Sequence, residues 1–129
     1  MKLIRVQYTV KDEYVATNQQ NIQKVMSDLA ALNNPNIKYS AFLLEDGKTF
    51  MHLAMYPDEQ SSAIVPNLPS FKVFRESLKA SQPEVPPKAE KLDLVASAYQ
   101  LFEVSWWAVR ATMEVSVVAL SVSNDLLMD

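Results

Sequence analysis

The dipeptide Asp46-Gly47 constrains this chain more than any other feature. Gly47 is the only glycine in 129 residues. It lies between two apolar runs, "IKYSAFLL" (37–44) and "TFMHLAMY" (49–56). Asp-Gly in that setting signals a β-hairpin, because a type I′ turn needs positive φ at its central residues. With Asp46-Gly47 as a two-residue loop, Glu45 faces Lys48, Ala41 faces His52 and Tyr39 faces Ala54. Opposed residues share a sheet face. One face then holds Ile37, Tyr39, Ala41, Leu43, Phe50, His52, Ala54 and Tyr56, and the other holds Phe42, Leu44, Met51, Leu53 and Met55. The register is conditional on a turn without a bulge.

The remaining elements follow from periodicity. "KLIRVQYTV" (2–10) alternates, with Ile4, Val6, Tyr8 and Val10 on one side and Leu3, Arg5, Gln7 and Thr9 on the other, as in a half-buried strand. Asp12 offers an N-cap oxygen to a helix over roughly 13–33, whose Ile22, Val25, Met26, Leu29 and Leu32 recur at helical spacing and which "NNP" stops. Residues 57–81 read as helix interrupted by Pro66 and Pro69, with Ser70 able to cap the second segment and Phe71, Phe74 and Leu78 as its stripe. "QPEVPPK" (82–88) reads as an extended connector, and "KLDLVASAYQLF" (91–102) as a last strand. The expected order is βαββαβ: an α+β, ferredoxin-like antiparallel sheet with both helices on one face.

These residues carry a family likeness. "VQYTVK", "NIKYSAFLLEDGKTFMHLAMYPDE", "LPSFKVF" and "PEVPPK" resemble the dimeric α/β barrel superfamily, and within it small bacterial proteins related to the antibiotic-biosynthesis-monooxygenase domain. The resemblance covers residues 1–102. It implies a homodimer whose helix-free sheet faces enclose a barrel, with ligands between sheet and helices or at the barrel mouth. A sheet covered on one side leaves an apolar face in water, and an isologous two-fold contact is the common remedy. On the register above, that open face is expected to include Phe50, Tyr39 and Tyr56. The superfamily's haem-degrading branch uses an Asn, a Trp and a His. Here the first strand has Gln7, both Trp residues follow residue 102, and the single His is on the third strand, so no haem function is carried over. The quinol-oxidising branch implies chemistry with no metal or organic cofactor, on a small aromatic or quinol-type molecule.

Composition narrows the classes. A net charge of −3 argues against a nucleic-acid partner. With no cysteine, disulfide and thiolate chemistry are excluded, and the chain suits a reducing cytoplasm. No run of about 18 uncharged apolar residues exists, so no membrane span is expected. "MKLIRVQYTV" does not read as a signal peptide. One glycine cannot build a phosphate loop.

His52 is the only histidine. It is the candidate catalytic base, since imidazole titrates near neutral pH. The structural alternative is a buried histidine hydrogen-bonded across a dimer interface. One His with no Cys and no acid on its face lacks the ligand count for zinc or iron. Arg5 and Gln7 share a strand face and are candidates to hold a carboxylate or quinone oxygen. Alternatively they face water or pair with an acid across the dimer. Tyr39, Tyr56 and Tyr99 are candidate pocket liners, or core and interface residues. Met26, Met51 and Met55 read as adaptable filler between helix and sheet.

Charge shifts at "LFEVSWW". Residues 1–102 hold eleven Lys/Arg and eleven Asp/Glu, whereas 103–129 hold one Arg and four acids. The expected division is a domain over 1–102 and an apolar extension over 103–129. The extension reads either as an added element that caps the barrel or extends the dimer contact, or as a non-native, sticky end.

Overall fold

The hairpin organises the molecule, as a computed structural model shows. The structure describes residues 1–102, so the extension over 103–129 lies outside the described residues. Strands β2 (Lys38–Leu43) and β3 (Thr49–Tyr56) pair antiparallel with Tyr39 opposite Ala54, Ala41 opposite His52 and Leu43 opposite Phe50. The expected register is therefore present, although the turn is not type I′. Gly47 has φ +75° and Asp46 does not have positive φ. The Gly47 N–H donates to the Leu44 carbonyl at 3.0 Å, and the Leu44 N–H donates to the Thr49 carbonyl. The loop is thus four residues, closed by the Asp46 carboxylate, which accepts from the Lys48 and Thr49 N–H groups. Adding one residue to each side of the turn leaves the register unchanged.

Strand β1 (Lys2–Thr9) lies beside β3, and β4 (Val85–Leu92) beside β1, giving the order β2-β3-β1-β4 with every neighbour antiparallel. Helix α1 (Val15–Leu32) ends at Asn33 in the left-handed conformation, φ 50°. Asp12 does not cap it. It lies inside a 3₁₀ turn (Asp12–Tyr14), which has no side-chain cap. The short α2 (Glu59–Ser62) is capped by Asp58, which accepts from the Ser61 N–H at 2.7 Å. After a second 3₁₀ turn (Val65–Asn67), α3 (Pro69–Ala80) starts with proline at its first position, where the missing N–H costs nothing. Ser70 is therefore inside the helix and is not its cap.

The last strand is a correction. "VPPKAEKL" is β4, so its first four residues, read above as connector, are strand, and the strand expected over 91–102 ends at Leu92, with residues 93–102 forming none. Pro86 and Pro87 fit because β4 is an edge strand and its register shifts between Gln7 and Thr9. Two β4 residues, both prolines, oppose Tyr8 there, so neither is asked for a ladder N–H.

The face assignment is also corrected. Tyr8 and Phe50 from the sheet pack with Ile22 and Val25 from α1 and Phe74 and Leu78 from α3. The face holding Tyr39, Phe50, His52 and Tyr56 is the one the helices cover. The opposite face, which none of the described helices covers, carries Arg5, Gln7, Phe42, Met51, Leu53 and Met55. Both faces of the hairpin are apolar, so alternation separates them without telling which is covered.

Candidate functional site

His52 is 3% exposed, in the middle of β3 on the covered face. Its direct partners are Val6 on β1 and Ala41 on β2. Tyr8 and Tyr39 each stand two residues from those partners, as diagonal neighbours within reach of an aromatic side chain. Tyr8 Oη is 2.8 Å from His52 Nε2, and Tyr39 Oη is 2.6 Å from Nδ1. From α1, the wholly buried Asn18 donates its Nδ2–H to Tyr8 Oη at 2.9 Å. Four side chains from four elements thus form one buried relay. Rings close it in: Phe50 stacks on Tyr8 at 5.6 Å, and Phe74 lies 5.5 Å from the imidazole.

The relay has a direction. Tyr8 Oη receives the Asn18 amide, so its own hydrogen needs an acceptor, and among the described residues His52 Nε2 is the one in range. A neutral imidazole carries one N–H. Nδ1 therefore holds the hydrogen and donates it to Tyr39 Oη. The Tyr39 hydroxyl then keeps its own hydrogen for a second bond. Burial lowers the His52 pKa to about 4, which keeps the imidazole neutral at pH 7. Burial also pushes the Tyr8 and Tyr39 hydroxyls well above the ordinary phenol value.

Tyr39 is where the relay meets solvent. It lines a groove of about 540 Å³ between α1 and β2, with Gln19, Gln23, Ser40 and Phe50. It also lines a second groove of about 400 Å³ near the end of α1, with Leu29, Asn33, Asn34 and Ile37. The inner gap at His52 itself, walled by Val25, Phe71 and Phe74, has no room for a water molecule.

The remaining candidates are placed elsewhere. Arg5 and Gln7 are on the open face, and Arg5 Nη2 is 3.2 Å from Glu90 Oε2 on the neighbouring strand of the same sheet. Tyr56 is buried on the covered face with Ala54 and Val65. Tyr99 follows β4 and is 70% exposed. Tyr8 and Asn18 were not among the sequence candidates. A signal for Asn18 exists: it stands four and seven residues before Ile22 and Val25, as a polar member of the buried stripe of α1. Among the described residues no three His, Cys, Asp or Glu side chains converge as a metal site would need, and no helix is long and apolar enough to cross a membrane.

No family model and no curated protein matches this chain in sequence. Solved structures do match. A structure assigned to the antibiotic biosynthesis monooxygenases from Nitrosomonas europaea superposes with a TM-score of 0.64 at 12% identity, over 74% of this chain and all of that one. The chain has the antibiotic biosynthesis monooxygenase fold. A Bacteroides thetaiotaomicron structure of the same assignment gives 0.65 at 11% identity, covering 77% of this chain and 93% of that one. SnoaB, a cofactor-independent oxygenase from Streptomyces nogalater, gives 0.59 at 12% identity over 77% of this chain and 97% of its own. The ferredoxin-like monooxygenase fold expected from the residues is present, and at these identities the likeness concerns the fold.

Proposed function

We propose that this protein is a small-molecule pocket protein acting as a cofactor-independent, monooxygenase-like enzyme on a small aromatic or quinol-type compound. The observation that carries this reading is the buried relay from Asn18 to Tyr39, whose last member, Tyr39, lines an uncharged groove. In this reading Tyr39 donates to an oxygen of the substrate and steadies the charge that develops there as the substrate gives electrons to dioxygen. His52 acts through Tyr39. With a pKa of about 4, taking a proton from a phenol of pKa about 10 is uphill by roughly 8 kcal/mol at about 1.36 kcal/mol per unit. Orienting the Tyr39 hydrogen costs nothing of that kind. Arg5 and Gln7 belong to the open face, where Phe42 is 48% exposed and Met51, Leu53 and Met55 are half-buried. That apolar surface supports a homodimer joined through it. A cytoplasmic address accords with the absence of cysteine.

The test is oxygen uptake with 1,4-dihydroxynaphthalene and a panel of related quinols and phenols. Wild-type protein should exceed the uncatalysed rate, and Tyr39→Phe should lose about 10²-fold in kcat, the usual effect of removing one such donor. Uptake equal to the uncatalysed rate across the panel would end the enzymatic reading. The tight packing at His52 favours one other reading, a non-catalytic dimeric ligand-binding or interaction module in which the relay is structural. Under it, Tyr39→Phe changes affinity for a bound aromatic and no turnover is seen.

A further inference from the structure

The two grooves and the closed gap at His52 have only two lining residues in common, Met26 and Tyr39. Tyr39 is held in place: its hydroxyl is bonded to His52 Nδ1 and its ring meets the imidazole edge-on at 5.7 Å. Met26 has no such tether. It is half-buried on α1 and packs on the core only through its apolar chain, with three rotatable bonds and a soft thioether end. All residues lining both grooves are uncharged, and side-chain amides stand toward each side: Gln19 and Gln23 in one, Asn33 and Asn34 in the other. A charged ligand would lose water there without gaining a counter-ion.

We propose that Met26 is the gate and the size-determining residue of the site: when its side chain swings aside, the two grooves merge over Tyr39 and the gap at His52 opens, making one site for an uncharged flat aromatic. The substrate class rests on the function proposed above, whereas the gate itself is a statement about access to His52. Two rotamer states of one unbranched side chain differ by little energy. The closed arrangement described here is then the resting state, and the open one a minor population.

Because His52 is the only histidine, diethyl pyrocarbonate tests this without any substrate. Carbethoxylation of imidazole is followed at 240 nm on the full-length protein. In the wild type the rate is limited by the open fraction, and a minor state is populated on the order of 0.1–10%. Met26→Ala, which leaves the passage permanently clear, should speed the reaction roughly tenfold or more. Leu78→Ala is the control, since it loosens the same core without lining either groove or the gap. An unchanged rate in Met26→Ala, or an equal rise in Leu78→Ala, overturns the gate. Should Met26→Ala fail to fold, Met26→Leu keeps the volume but is branched and stiffer. It should react more slowly than wild type, and an equal rate overturns the proposal. Binding of 2-naphthol, read by its fluorescence, should tighten in Met26→Ala if the aromatic site is as proposed. A gate seen with pyrocarbonate and no naphthol binding would reject the substrate class and leave the gate standing.

Discussion

Acid should unfold this protein partly through one imidazole. His52 is 3% exposed and burial sets its folded pKa near 4, against an ordinary value of 6.5. As pH falls through 6.5 the unfolded chain takes up a proton that the folded chain refuses until about pH 4. The unfolded state binds more protons across that interval, so stability rises with pH there. The contribution is fully present above about pH 7, is lost between roughly 6.5 and 4, and is constant below. A gap of about 2.5 units corresponds to about 3 kcal/mol at 1.36 kcal/mol per unit. That is a large part of the roughly 5–15 kcal/mol that holds a domain folded. Urea titrations followed by far-UV circular dichroism, on wild type and His52→Gln at several pH values, isolate the effect because both proteins carry the same carboxylates. The stability difference in favour of wild type should shrink by about 3 kcal/mol from pH 7 to pH 4. A difference constant within about 0.5 kcal/mol would show that the imidazole is not held neutral by burial. A difference that grew on acidification would mean that the Tyr8 and Tyr39 oxygens hold an imidazolium better than water does, and the relay direction argued above would be wrong.

Three further outcomes follow from the geometry. Tyr8→Phe leaves the Asn18 amide and His52 Nε2 buried without their common partner and should cost about 1–3 kcal/mol in urea unfolding, part of it recovered by adding Asn18→Leu. Phe74→Ala removes a ring that meets Tyr8, His52 and Phe71 at 5.5–6.4 Å and should cost about 3–5 kcal/mol by the same assay. Gly47→Ala meets no atom within 4 Å but must hold φ +75°, so it should cost about 1–2 kcal/mol through backbone strain alone, with the hairpin register unchanged in amide NMR contacts.

The sequence carried the hairpin register well, because the sole glycine marks the reversal between two apolar runs. Lengthening the loop from two residues to four did no harm, since the extra residues fall one on each side. The last strand was hidden by its prolines. Val85–Leu92 has no alternation to offer, and only the bulge opposite Tyr8 makes room for Pro86 and Pro87. Which face the helices cover was also hidden, because Phe42, Met51, Leu53 and Met55 are as apolar as Phe50, Ala54 and Tyr56. Half of the relay was legible in His52 and Tyr39. The other half required knowing that Asn18 on α1 comes down over Tyr8, a tertiary contact that no local pattern states.

The paired prolines of β4 have a consequence for how this molecule meets others. An outer strand normally offers a row of amide hydrogens that any extended peptide can extend, and that row is the usual starting point of fibrils. On β4, positions 86 and 87 have no amide hydrogen to offer. A foreign chain laid along this side meets a stretch that lacks amide hydrogens and whose register is already irregular. The irregularity that accommodates Tyr8 on the inside thus also discourages uncontrolled polymerisation on the outside.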